Sequence, residues 1–340
     1  MVVRSITISN EPSAAADVRV VAVGAGPRYD PLLLPIIARL QAQGIGVRHG
    51  ADYEGLAAAG ALAGAEVFVA NFCPGWALDA APRLRAIVNM VTGSELIAEP
   101  AATRRGIVIG IGQAAENYEG MAEATVMLML NALKDLSGIE KRLREALPRG
   151  RVSARQLMAK TVGLIGYGKI AQGVARRLQG WGVRLLIAAP RLHAPLPPGA
   201  ARVELPALLA ASDVVAVLCS LNDSTRGLLG REALALMKPG AVLGNPARGG
   251  IVDEAALAAA ARDGRLGAVA LDAFAVEPLP ADSPLRTLPN AILTPHMVGH
   301  TVESEEAILA MAVDNVVRVL GGVPPHVVLN PGVLPRWDAP

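Results

Sequence analysis

Short apolar runs alternate along the chain with stretches in which hydrophobic residues recur at helical spacing. That pattern marks strands buried on both faces and separated by crossover helices. Val18–Val23 is a mostly apolar run ending at Gly24. After Pro27, the helix-period stretch Leu32–Leu40 leads to Gly44 and a second strand at Ile45–Val47. Val67–Ala70 and Leu84–Val88 read as further strands, with helices between them and after Pro100. Strands and helices taken in turn predict a parallel sheet with right-handed crossovers, here a small α/β unit of roughly five strands.

The pattern then changes. From Ala115 to Leu136, Met121, Val126, Met129, Leu130 and Leu133 recur at near-helical spacing, and the charged segment Lys134–Arg151 follows. A long helix joining two domains is predicted, its methionines filling gaps in packing rather than binding a ligand. A second alternation begins at Thr161–Ile165. It continues through a glycine turn, a helix at Ala171–Leu178, a strand at Val183–Ala188, the proline-rich loop Pro190–Pro198, a helix at Leu205–Ser212 and a strand at Val214–Cys219. Ala241–Leu243, Ala268–Leu271 and Ala291–Leu293 supply the remaining strands of a doubly wound sheet. The last helix, Glu303–Leu320, lies beyond them and is free to return to the first unit.

Composition narrows the class. In a chain of 340 residues, 52% hydrophobic content fills two cores, and 3% aromatic content means that Ala, Val, Leu and Ile build them. The net charge of +2 comes from well-mixed charges with no polybasic run, which gives nucleic-acid binding little support. Cys73 and Cys219 are the only cysteines and the histidines are scattered, so neither a disulfide framework nor a structural zinc site is indicated, and a reducing cytoplasm fits. Residues 1–17 lack the apolar core of a secretory signal. Mean hydropathy is +0.39, yet Glu123 interrupts the apolar segment from Met121 to Leu133, so no membrane span is expected.

Three residues far apart in sequence carry the chemistry: Arg248 in Asn245-Pro246-Ala247-Arg248-Gly249-Gly250, Glu277 before Pro278, and His296 in Thr294-Pro295-His296. A cation, a carboxylate and an imidazole are what a site needs to hold an acidic substrate and move a proton to or from a carbonyl oxygen. Each follows a predicted strand, where open α/β sheets place their ligands, and so does Asp272. Taken singly, each is more simply a solvated loop charge; together they argue for a site. Upstream, Gly166-Tyr167-Gly168-Lys169-Ile170-Ala171 joins a strand to a helix, and its glycines let backbone N–H groups approach a dinucleotide pyrophosphate. The acid that usually follows on the next strand is missing: that strand ends in Ala189-Pro190-Arg191. Arg191 is suited to pair with a 2′-phosphate, which favours NADP over NAD; if Arg191 and His193 are merely solvated, either cofactor is taken. His300, four residues past His296, resembles half of a metal pair, but no partner completes it and no metal is expected.

These motifs, with Met237-Lys238-Pro239-Gly240, Ile251-Val252-Asp253-Glu254 and Ala270-Leu271-Asp272-Ala273-Phe274, resemble the D-isomer-specific 2-hydroxyacid dehydrogenases, the family of glyoxylate/hydroxypyruvate reductases and phosphoglycerate dehydrogenases. The resemblance runs from about Leu84 to Asn330. It implies a Rossmann cofactor domain at 119–301 inserted in a flavodoxin-like substrate domain made of 1–118 and 302–340, both with doubly wound parallel sheets. His296 becomes the acid/base, Glu277 its partner, and Arg248 the group that binds the substrate carboxylate. A carboxylate beside an imidazole favours the imidazolium and keeps a proton available. Substrate contacts fall to Val91, Thr92, Gly93 and Arg248. Cofactor contacts fall to Gly166, Tyr167, Gly168, Lys169, Ile170, Arg191, Ser220, Ala247, Asp272 and His296. The resemblance also implies a homodimer built on the cofactor domain and a small 2-keto or 2-hydroxy acid as substrate. Ala189, Ser220, Val298 and His300 depart from the family pattern. Alternative readings are a dinucleotide-binding regulatory or corepressor-like protein without turnover, and a family member acting on phosphite or phosphoglycerate.

Overall fold

In a computed structural model that describes residues 18–24, 30–192 and 194–337, the chain divides into two compact units, Met1–Ala114 with Val302–Pro340, and Ala115–Thr301. Residues 1–17 and His193 lie outside the described residues.

The first unit holds five strands: β1 (Val20–Val23), β2 (Val47–Gly50), β3 (Val67–Val69), β4 (Ala86–Asn89) and β5 (Val108–Ile111). They pair in parallel in the order β2-β1-β3-β4-β5, a flavodoxin-like arrangement. Alternate residues serve two cores. Val21, Phe68, Ile87 and Ile109 face one side with Tyr53, Leu62 and Leu78. Val20, Val67, Val69 and Val88 face the other, under Leu33, Ile36 and Leu40 of helix Asp30–Ala42 and Leu309, Val313 and Val316 of helix Val302–Leu320. The C-terminal helix thus completes the first unit.

The second unit has seven strands: β6 (Thr161–Ile165), β7 (Arg184–Ala188), β8 (Ala201–Arg202), β9 (Val214–Val217), β10 (Ala241–Asn245), β11 (Leu266–Leu271) and β12 (Ala291–Leu293). All pairs are parallel, in the order β12-β11-β10-β9-β6-β7-β8. The order reverses at β6, the switch point at which doubly wound sheets bind nucleotides. Helix Ala115–Lys134 sets Val126, Met129 and Leu133 into one core, so its methionine stripe includes packing residues.

Differences from the expected elements have local causes. The long helix stops at Lys134 because Asp135 takes φ 53° and caps the next helix, Leu136–Arg144, through Gly138 N–H. The strand expected at Ile45–Val47 starts at Val47. The Ile45 amide instead bonds Leu40 O, after Gly44 has turned the chain at φ 78°. The strand expected to end at Leu243 runs on to Asn245, which pairs with Leu271 of β11.

Candidate active site

The glycine turn is built by close approach. Gly166, at φ 98°, leaves β6 so near the end of β9 that a Cβ would stand 2.8 Å from Cys219 N and Leu218 O. Any other residue would strain the backbone and force these strand ends apart. Gly168 then caps helix Lys169–Arg177. A Cβ there would meet nothing within 4 Å, so the helix N-terminus opens onto space of the kind a pyrophosphate needs. The residues therefore fit a dinucleotide. Tyr167 does not offer its side chain. The ring lies in the core, its hydroxyl donates to Pro195 O at 3.2 Å, and burial raises its ionisation above the ordinary tyrosine range. Lys169 Nζ bonds the Tyr118 hydroxyl at 3.3 Å and lies over its ring, while Ile170 packs against the core.

Arg191 is exposed beyond β7. A second guanidinium joins it that sequence reasoning missed: Arg202, on the two-residue strand β8, donates to Pro190 O at 3.0 Å. Ser220 is exposed and its carbonyl accepts from Thr225 Oγ1 at 2.7 Å. Burial raises the thiols of both Cys219 and Cys73, the latter to about 11.

Arg248, Glu277 and His296 follow the strand ends of β10, β11 and β12. Asn245 closes β10, and the Arg248 loop follows directly. Its next residue, Gly249, passes so close to the neighbouring loop that a Cβ would stand 1.9 Å from Phe274 C. The Arg248 turn and the Glu277 turn therefore share one backbone contact. Glu254 Oε1, on helix Glu254–Arg262, accepts from Ala275 N at 2.6 Å, and Phe274 N donates to Glu277 Oε1 at 3.0 Å. Both oxygens of Glu277 lie 3.0 Å from His296 Nδ1.

Asp272 is 1% exposed, so it is not a solvated loop charge. Its Oδ1 accepts from Thr294 Oγ1 at 2.7 Å, Met297 N at 3.0 Å and Val298 N at 3.2 Å. These donors bracket His296, which takes φ 56°, an uncommon conformation for a residue with a Cβ that the surrounding bonds must sustain. Asp272 thus holds the histidine turn, a role its sequence position did not reveal because the donors lie more than twenty residues away. Ala247 packs against the apolar core and its amide donates to Asn245 Oδ1.

In the first unit, Val91, Thr92 and Gly93 follow β4. The Val91 N–H donates to Asn89 Oδ1 at 3.1 Å and its carbonyl accepts from Gly112 N at 3.2 Å. Both backbone groups of Val91 are therefore engaged, the amide by Asn89 and the carbonyl by Gly112 after β5. Among the described residues no group of three His, Cys, Asp or Glu is placed to hold a metal, and no helix is long and apolar enough to cross a membrane.

Residues 126–298 match the family model "D-isomer specific 2-hydroxyacid dehydrogenase, NAD binding domain". The chain belongs to the D-isomer-specific 2-hydroxyacid dehydrogenase family. It is 35% identical over 264 residues to glyoxylate/hydroxypyruvate reductase B of Pectobacterium atrosepticum, covering 76% of this chain and 82% of that protein. To the (S)-sulfolactate dehydrogenase of Chromohalobacter salexigens it is 39% identical over 250 residues, with 71% and 79% covered. To the D-3-phosphoglycerate dehydrogenase of Mycobacterium leprae it is 35% identical over 269 residues, 77% of this chain but 50% of that one; the chain spans about half the length of such relatives. Among solved structures, the NADPH-dependent glyoxylate/hydroxypyruvate reductase of Sinorhizobium meliloti in complex with NADP and malonate aligns with a TM-score of 0.80 at 25% identity, covering 92% of this chain and 97% of that one. The NAD-dependent formate dehydrogenase of Staphylococcus aureus in complex with NAD aligns at 0.76 and 26%, covering 88% and 94%.

Proposed function

We propose that this protein reduces small 2-keto acids to 2-hydroxy acids with a nicotinamide cofactor, NADPH being favoured. The observation that carries the reading is the Glu277–His296 pair. With both carboxylate oxygens at 3.0 Å, Glu277 accepts the Nδ1 proton, which fixes the ring and leaves Nε2 to deliver a proton to the carbonyl oxygen. Arg248, on the turn locked against the Glu277 loop, binds the substrate carboxylate, its planar fork matching two oxygens at once. Asp272 keeps the histidine turn in place. When bound, the nicotinamide supplies the hydride. Gly166 and Gly168 let the pyrophosphate reach the helix N-terminus, with Lys169 beside it. The NADPH preference rests on the missing acid at Ala189 and on Arg191 and Arg202 near the end of β7, where two cations suit a 2′-phosphate.

Substrate size is left between glyoxylate, hydroxypyruvate and larger acidic 2-keto acids such as those of the phosphoglycerate and sulfolactate relatives. The test is a spectrophotometric screen of glyoxylate, hydroxypyruvate, 3-phosphohydroxypyruvate and sulfopyruvate, each with NADH and NADPH. Turnover of at least one, lost in His296→Ala, is expected; full activity in that variant rejects the mechanism.

A homodimer is proposed as well. Helix Leu136–Arg144 buries none of its residues, and Leu136, Ile139 and Leu143 stand 53%, 52% and 85% exposed on it. An apolar face of this kind on the second unit suits a second copy of the chain. Light scattering should give the mass of a dimer, and Leu143→Glu should shift it toward monomer.

A further inference from the structure

The two loops assigned to substrate are built by the same device. Asn89 is the last residue of β4 and Asn245 the last of β10. Each is 1% exposed. In each, the side-chain oxygen accepts from the amide two residues on: Val91 N at 3.1 Å for Asn89, and Ala247 N at 3.2 Å for Asn245. In each, Nδ2 donates to a carbonyl farther along the loop: Gly93 O at 2.7 Å and Arg248 O at 2.9 Å. A short amide side chain that bonds its own downstream backbone at both ends fixes a turn locally; in the first loop Gly112 adds to it, donating to Val91 O and accepting from Thr92 Oγ1. Because both ends of each amide are engaged in a buried place, a lost bond is not replaced by water, and the loop loses its shape.

We propose that Asn89 and Asn245 are positioning residues: Asn89 sets the Val91-Thr92-Gly93 loop and Asn245 sets the loop that carries Arg248, each fixing the groups that its own loop offers to an acidic ligand. The inference rests on the function proposed above. Asn89 turns the Val91 amide inward and draws the Gly93 carbonyl down, so the substrate-facing side of the loop is formed at Thr92 and Gly93. Asn245 pins the carbonyl of Arg248 itself, which fixes where the guanidinium leaves the backbone. Asp carries the acceptor but not the donor, and Ala carries neither, so the two substitutions separate the two bonds of each clamp.

The experiment compares wild type, Asn89→Ala, Asn89→Asp, Asn245→Ala and Asn245→Asp by two readouts. Hydrogen–deuterium exchange needs no substrate. Amides of residues 89–95 should exchange faster in Asn89→Ala, and those of 245–251 in Asn245→Ala, with the rest of the chain unchanged and the Asp variants intermediate. Kinetics with whichever 2-keto acid wild type turns over should show KM raised about tenfold to a hundredfold in Asn89→Ala. NADPH affinity measured by fluorescence should stay within about twofold of wild type in the same variant, because a local clamp moves only its own loop. Unchanged exchange in the loops, an unchanged KM, or loss of cofactor affinity together with KM in Asn89→Ala would each overturn the assignment. Absence of wild-type turnover across the whole panel would instead reject the proposed function, and the substrate role of both asparagines with it.

Discussion

Gly249 and Glu277 show how tightly the turns carrying Arg248 and Glu277 depend on their backbone. With 1.9 Å between a Cβ at 249 and Phe274 C, Gly249→Ala requires the Arg248 and Glu277 turns to part. It should cost about 1–3 kcal/mol in chemical denaturation, the usual range for overpacking, and should lower kcat as the pair is pulled out of line. Glu277→Gln is the milder probe. A glutamine keeps an acceptor for Phe274 N and loses the charge opposite His296, so kcat should fall by about a hundredfold or more while cofactor affinity is held. The pairing of Glu277 with His296 was legible as a candidate in the sequence, because a glutamate and a histidine after strand ends declare themselves by type and place. What held them was not. Asn89 and Asn245 look like the first loop residues after apolar runs, and nothing local says that their amides fold back. Asp272 reads as a cofactor contact, and its hold on the histidine turn shows only when its donors arrive from the segment after β12. Nothing around Val91 in the sequence says that the Asn89 side chain takes its amide.

Helices and strands were legible where their residues are buried on both faces. β1 and β9 are unbroken apolar runs for that reason, and β6 is one after Thr161; a parallel sheet covered on two sides needs nothing else. β8 left no such signal, since two exposed residues make no pattern, and Arg202 was overlooked with it. The contact between helices Ala115–Lys134 and Lys169–Arg177 separates packing from charge. Arg176 and Arg177 reach Glu119 at 2.6 and 2.7 Å, and Arg177 reaches Glu123 at 2.9 Å, all on partly exposed side chains. Such pairs contribute little. Arg177→Ala should therefore change the unfolding free energy by less than about 1 kcal/mol, whereas Leu164→Ala, at a fully buried position in β6, should cost about 2–5 kcal/mol in the same titration. Equal losses would mean that the charged layer carries more than its exposure suggests.

The first unit is closed by residues from both ends of the chain. Asn330 accepts from Ile109 N at 2.9 Å and donates to Ile107 O at 2.9 Å, stitching the returning segment to β5. Trp337 donates to Arg85 O at 3.1 Å and lies under the Arg85 guanidinium. Arg85 belongs in turn to a group around Glu66, whose carboxylate is 8% exposed and meets Arg19 at 2.6 Å and Arg83 at 3.0 Å. The hydrogen bonds from Arg19 and the charges of Arg19, Arg83 and Arg85 hold the Glu66 carboxyl below the ordinary glutamate range, against the opposing effect of burial. The sign follows from linkage. The stabilisation is complete above the ordinary carboxylate range and is lost as pH falls through the lowered value. Urea unfolding from neutral pH down to about pH 3 should thus show a steeper acid-side loss in wild type than in Glu66→Gln. Matching slopes would show that the cluster does not couple to folding.

The second unit is one uninterrupted stretch, 115–301, whereas the first is split around it. On the ribosome this sets an order. The inserted stretch is synthesised whole while the opening segment still lacks helix Val302–Leu320, whose Leu309, Val313 and Val316 cover one face of its sheet. Until that helix emerges, helix Asp30–Ala42 alone shields this face, the side of β3 and β4 that Val302–Leu320 packs against stands uncovered, and the nascent chain is exposed there to aggregation and to chaperones.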